Sequence, residues 1–211
     1  IPKRDWSSDV CSSDLFVIIA LGEVIMMAGA TFSELAWNRD NAAVFVVATV
    51  GSIAMWWIYF NIGAERATHT TASSRDPGAI ARLAYTFFHI PIVAGIVGGA
   101  AATEMAIAHP HATGDAAVAL TAVSSSAAYL VGNILFKRAT GGATLPLSHL
   151  GGLVAVAVVG WFWRSLDASR IGTAMAAIMV MVAVWETLSL RSYREHREHR
   201  HQRHRTGGFG P

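Results

Sequence analysis

Six long apolar stretches, joined by short polar loops, fill this chain from Leu15 to Leu190. A hydrocarbon core about 30 Å thick needs roughly 20 mostly apolar residues as helix. The stretches read as spans over residues 15–32, 42–62, 83–108, 116–136, 148–163 and 171–190, the fifth being the shortest. In a soluble all-α protein each helix would show one apolar stripe, yet Val44 to Met55 is apolar or small all the way round. The expected fold is therefore all-α, a polytopic transmembrane bundle of six spanning helices. A content of 53% hydrophobic and 14% charged residues agrees with that class.

The start of the chain is of a different character. Residues 5–15 read Asp-Trp-Ser-Ser-Asp-Val-Cys-Ser-Ser-Asp-Leu, a string that resembles the codon-by-codon translation of a sequencing-library adapter. Residues 1–14 are accordingly expected to be adapter-derived and are set aside before fold reasoning. The expected organisation is then a transmembrane helical domain over 15–190, the C-terminal part of a larger protein, followed by a basic, His- and Arg-rich tail over 191–211. The single cysteine, Cys11, falls in the segment set aside, so no disulfide framework is expected.

Lys and Arg in short loops mark the cytoplasmic side of a membrane protein. Arg66, Arg75, Arg82, Lys137 and Arg138 lie in alternate loops, and six arginines lie in the tail, eleven cations in all. The other loops hold three, Arg39, Arg164 and Arg170. This places the C-terminus in the cytoplasm. Trp37, Trp161 and Trp163 fall at the outer boundary, and Trp56, Trp57, Tyr59 and Trp185 at the inner one, the depths that amphipathic rings prefer.

An ionisable group inside a membrane helix is a functional candidate by default. Glu23 sits mid-span in the first stretch, either as a proton or cation site or as an interhelical hydrogen bond holding the bundle together. Arg82, Tyr85 and His89 follow at i, i+3 and i+7 and share a helix face. Pro91 deprives the Phe87 carbonyl of its helix donor, which invites a kink or a polar partner. Glu104 lies about 22 Å further along the same helix and about 60° round its axis. His89 and Glu104 either line a polar path, with His89 titrating, or sit hydrated near the two interfaces. Ala94, Gly98 and Ala102, with Gly95 and Gly99, mark the third span as a close-packing helix. Glu186 is expected at the inner interface, hydrated or paired with tail arginines, and Asn61 and Asn133 as caps or interface groups. His109, His111 and Asp115 read as an exposed turn more readily than as a metal site. The tail suits attraction to anionic lipid headgroups. No zinc-protease, nucleophile-elbow, phosphate-loop or nucleic-acid pattern is present, so no catalytic set, metal or cofactor is assigned.

Three motifs in order carry a resemblance: Leu15-Phe-Val-Ile-Ile-Ala-Leu-Gly-Glu-Val-Ile25, Trp56-Trp-Ile-Tyr-Phe60, and His89-Ile-Pro-Ile-Val-Ala-Gly-Ile96 with Glu104 downstream. The chain resembles the bacterial low temperature requirement protein A (LtrA) family from Leu15 to about Phe136 by motif, and on to Leu190 by hydropathy. The family's acidic lead-in before Leu15 is missing here, and Asn61 stands where an acidic residue is common. The resemblance implies a multi-pass protein of the bacterial cytoplasmic membrane, in a family named for growth in the cold. It singles out Glu23, Trp57, His89 and Glu104.

Together these readings favour proton- or ion-coupled transport through a path containing Glu23, Tyr85, His89, Glu104 and Trp57. A membrane-embedded enzyme acting on lipid and a non-catalytic scaffold are the alternatives. The expected partners are membrane lipids, a small solute or ion, and a second copy of the chain, with no nucleic acid.

Overall fold

A computed structural model describes residues 6–34, 38–61, 82–140 and 146–206, with side chains described over 14–34, 38–61, 82–140 and 146–189. Trp37, Arg66, Arg75 and the tail side chains used in the sequence reading lie outside this set. Six α-helices follow one another: α1 (Trp6–Glu34), α2 (Arg39–Phe60), α3 (His89–Ala108), α4 (Ala116–Ala139), α5 (Leu147–Trp161) and α6 (Ala168–Thr206). A π-helical turn, Arg82–Phe87, leads into α3, and a 3-10 turn, Trp163–Ser165, links α5 to α6. Five segments are long and apolar enough to cross a membrane: Asp14–Glu34, Arg39–Phe60, Arg82–Ala108, Ala116–Ala139 and Ala168–Ser189. Leu147–Trp161 is apolar but, at 15 residues, shorter than a full crossing.

The surface explains why such a chain needs lipid. Phe16, Ile19, Met26, Val46, Ile53, Ile90, Val97, Leu120, Val154 and Val184 are all exposed, far more apolar surface than a water-soluble monomer shows. On α1 a single stripe, Val17, Ala20, Leu21, Val24 and Ala28, is buried, and apart from Glu23 the outward face at mid-helix is apolar too. The bundle is a polytopic transmembrane fold.

Its tightest seam joins α3 to α4. A Cβ added at Gly95 would stand 2.6 Å from the Tyr129 backbone nitrogen and 2.7 Å from the Ser125 carbonyl oxygen. One at Gly132 would stand 2.9 Å from the Ile92 nitrogen. Only hydrogen fits at either place, so the two backbones touch, as small residues permit in membranes. Gly95, Gly98 and Ala102 take part in this packing, whereas Ala94 is exposed and Gly99 faces open space.

The end of the bundle where α1 finishes and α2 begins is called distal, and the opposite end proximal. At the distal end the 109–115 turn is stitched to the start of α6: Ala168 N–H donates to Ala112 O, Ser169 N–H to Pro110 O and Gly114 N–H to Leu166 O. Gly114 takes φ +66, a left-handed conformation that glycine adopts without strain. Asp115 caps α4 by accepting from the Ala117 and Val118 N–H groups, and Asp167 accepts from Arg170 N–H at the start of α6. Loss of such a cap costs about 0.5–2 kcal/mol. Asp115→Ala is therefore expected to lower stability by about 1 kcal/mol, read as a lower unfolding midpoint in detergent, and an unchanged midpoint would show that the cap is redundant.

Candidate functional site

The buried polar side chains gather at the proximal end. Along α4, Ser125, Tyr129, Asn133 and Lys137 recur every four residues, a stripe that drifts about 40° per step and is turned into the bundle throughout. Tyr129 and Asn133 are fully buried. The Tyr129 hydroxyl donates to the Met55 carbonyl on α2 at 2.5 Å, and Asn133 Nδ2 donates to Tyr129 O at 2.9 Å.

Lys137 completes the stripe. Its Nζ lies 2.6 Å from Glu186 Oε1 on α6, 3.2 Å from His149 Nε2 on α5 and 3.3 Å from Ile58 O on α2. An ammonium has three donors and no acceptor, and here each donor has a partner on a different helix. Because Lys137 donates to His149 Nε2, the ring hydrogen of a neutral His149 sits on Nδ1, which is 3.1 Å from Ser148 Oγ. The side chains of Lys137 and Glu186 are only 13% and 10% exposed, so this ion pair is largely withdrawn from solvent. Glu186 Oε2 and Asn133 Oδ1 are buried and have no hydrogen-bond partner among the described residues. Both are acceptors.

A second cluster stands beside the first. In the π-helical turn, Phe88 N–H reaches back five residues to Leu83 O, and His89 Nδ1 lies 2.9 Å from Ala84 O. A carbonyl can only accept, so Nδ1 carries a hydrogen. His89 Nε2 lies 2.6 Å from the Tyr59 hydroxyl, which also donates to Asp14 Oδ1 at 2.6 Å. The Tyr59 hydroxyl can give its one proton to Asp14 or to the bare Nε2 of a neutral His89, so the histidine contact is complete without Asp14. Asp14 belongs to the 1–14 segment set aside above, but the Tyr59–His89 contact does not depend on it. Tyr85 stacks on His89 and Tyr59 stacks on Phe136, next to Lys137.

Above these clusters, in the distal half, lies a partly open cavity of about 90 Å³. It runs from Val118 and Ala168 at the distal helix ends to Met55, Ser125 and Met179 at mid-span. Tyr129, one turn beyond Ser125, separates it from Lys137 and Glu186.

Of the residues singled out in the sequence, the structure brings Tyr85 and His89 together in the core. Glu23 and Glu104 lie exposed on the outward faces of α1 and α3, away from that pair. Trp57 is exposed at the proximal rim, where its indole N–H donates to Thr187 Oγ1 at 2.9 Å. Asn61 caps the end of α2 and also donates to Thr187. Several expectations need correction. Glu186 pairs with Lys137 and is not a hydrated interfacial acid, because the two helix ends face each other across the core. Lys137 is an interior charge, so the loop count that favoured a cytoplasmic tail falls from eleven to ten. Tyr59 is 1% exposed and belongs to the core, not to an interfacial belt. Asn133 is fully buried, not a cap. At the distal end His111 meets Asp40 at 3.1 Å on the surface while Asp115 caps its own helix, and no cluster of metal-binding side chains forms among the described residues.

Sequence reasoning passed over His149 and the Lys137–Glu186 pair. The available signal was the four-residue spacing of Ser125, Tyr129, Asn133 and Lys137 within an otherwise apolar span.

The sequence profile for the bacterial low temperature requirement A protein (LtrA) matches residues 13–184. An uncharacterized protein of Rhizobium meliloti (strain 1021) is 33% identical over 180 residues, covering 85% of this chain and 44% of the relative. The chain thus spans under half the length of that relative. No solved structure matches it at a significant level. A profile match across most of the chain, on a bundle that needs lipid around it, leads to one assignment: the chain belongs to the bacterial low temperature requirement A (LtrA) family of membrane proteins.

Proposed function

We propose that this chain forms part of a proton-coupled transporter of small solutes in the bacterial cytoplasmic membrane, with the proximal end and the tail in the cytoplasm. The observation that carries the reading is the continuous inward stripe on α4. Its distal part, Val118, Ala122 and Ser125, walls the cavity, and its proximal part runs through Tyr129, bonded to Met55 O, and Asn133, bonded to Tyr129 O, to Lys137 in the ion pair. A solute site and a protonatable site thus share one helix face, with Tyr129 between them.

Glu186 is the proposed proton carrier. A proton on Glu186 Oε2 would turn that buried, unpartnered acceptor into a donor. Protonation would also cancel the charge that holds Lys137, loosening α4 from α6 and from Ile58 on α2. Of the residues marked in the sequence, His89 and Tyr85 stand in the neighbouring cluster. Glu23, Glu104 and Trp57 stand outside it.

The test uses a full-length family protein in liposomes, because the chain covers 44% of its relative. A pH gradient is expected to drive uptake of at least one small solute from a broad panel. Glu186→Gln, a neutral stand-in for the protonated acid, is expected to abolish the response to the gradient while folded protein is retained. Equal flux with and without the gradient, or a gradient response that survives Glu186→Gln, would sink the proposal. A scaffold with no turnover would show no flux and would still support growth in the cold with Glu186→Gln.

A further inference from the structure

We propose that the distal cavity binds a small uncharged molecule with an apolar body and one hydrogen-bonding group, such as a neutral alcohol, an amide or a ketone. This inference rests on the transport reading and names the class of its solute.

Charge is the first discriminator. The cavity is walled by α1, α2, α3, α4 and α6, and none of its lining residues is Asp, Glu, Lys, Arg or His. An ion entering it would lose water and gain no opposite charge, which is heavily penalised inside a membrane protein. The charged groups of the bundle core lie beyond Tyr129, outside the cavity.

Hydrogen-bonding capacity is the second. Three lining hydroxyls spend their proton on their own helix: Ser52 donates to Ala48 O at 3.0 Å, Ser125 to Ala122 O at 3.1 Å and Thr173 to Ser169 O at 2.8 Å. A hydroxyl with its hydrogen committed still has oxygen lone pairs to offer. Thr103 and Ser126, also on the wall, make no such bond among the described residues, so the wall offers acceptors and two hydroxyl protons, and a guest with one polar group finds a partner of either sense. Met55, Met175 and Met179 complete the wall with flexible thioethers that adapt to an apolar body.

Space is the third. A Cβ built at Gly99 or at Gly172 meets nothing within 4 Å, and both glycines line the cavity. In contrast with Gly95 and Gly132, these two leave room that the packing does not use. A side chain there would fill the site without straining the bundle.

The experiment reads occupancy, not flux. In a full-length family protein whose own cysteines are replaced by serine, Ser126→Cys at the equivalent position places one thiol on the cavity wall. Its labelling rate by N-ethylmaleimide is measured with four probes of nearly the same shape: isobutyramide, isobutyrate, isobutylammonium and methyl isopropyl ketone. Isobutyramide at saturation is expected to slow labelling at least several-fold. Methyl isopropyl ketone, which can accept from the free Thr103 hydroxyl, is expected to slow it as well, and the two ions are expected to leave it unchanged. Gly99→Val is expected to remove the isobutyramide effect while the unfolding midpoint holds or rises.

Equal protection by either ion would overturn the uncharged class, and no protection by the ketone would overturn the use of the wall's hydroxyl protons. A thiol that labels readily but is protected by no probe would overturn the site. Protection by isobutyramide in a protein that moves no solute would keep the site and remove the transport reading. Gradient-driven flux of an ion without protection would do the reverse.

Discussion

Replacing Lys137 with methionine is expected to destabilise the bundle by about 3–5 kcal/mol, and adding Glu186→Leu in the same chain to recover most of that loss. Taking two charges out of water is expensive, and their attraction offsets the expense only while both are present. Removing the lysine leaves Glu186 with Oε1 as well as Oε2 unpartnered among the described residues, and also deprives His149 Nε2 and Ile58 O of their donor. The double variant removes the buried charge altogether and leaves only the neutral acceptors to satisfy. Unfolding of the four members of the cycle in mixed micelles measures the coupling directly. A double variant no more stable than Lys137→Met alone would show that the pair is not the main link between α4 and α6.

Gly95→Val is expected to be worse tolerated still, costing at least the 1–3 kcal/mol typical of overpacking and in practice preventing α3 and α4 from docking. The new side chain would meet the Tyr129 nitrogen and the Ser125 carbonyl, which are backbone atoms of a helix and cannot swing aside. Gly172→Ala, on an open wall, makes the comparison, since alanine favours a helix by about 0.8–1.0 kcal/mol over glycine. The first variant should lose folded protein on size exclusion in detergent while the second keeps it. Normal folding of Gly95→Val would mean that the helix pair is more loosely packed than described.

Apolar length made the solvent and the helix count legible, since six greasy stretches admit few arrangements. Direction round each axis was not legible. Glu23 sits in a helix that is apolar on every side, so which face turns inward depends on neighbours that the local pattern does not encode. Lys137 precedes Arg138 and a Thr-Gly-Gly loop, and so looks like one more loop charge. Only the opposing position of Glu186 on α6, 49 residues away, makes it interior. His89 was legible because an imidazole and a proline two residues apart disturb a helix. The π-helical turn confirms the disturbance, and the histidine ring takes up the Ala84 carbonyl. His149 was missed because it opens the shortest and least regular of the six helices.

The close contact of α3 with α4 has a counterpart across the bundle. Gly51 on α2 lies against Ala176 on α6, where an added Cβ would stand 3.3 Å from the Ala176 Cβ, and Thr187 receives bonds from both Trp57 and Asn61. The molecule thus holds two close-packed helix pairs, and bonds cross between them at both ends: Tyr129 to Met55, Lys137 to Ile58 and Glu186, and Tyr59 to His89 toward the proximal end, and Ala168 to Ala112, Ser169 to Pro110 and Gly114 to Leu166 at the distal end. Prying those pairs apart breaks a handful of polar links and disturbs neither glycine seam. The distal fastening runs backbone to backbone through a tight turn, whereas the proximal one relies on side chains, so the proximal end is where a single substitution can unlatch the two halves.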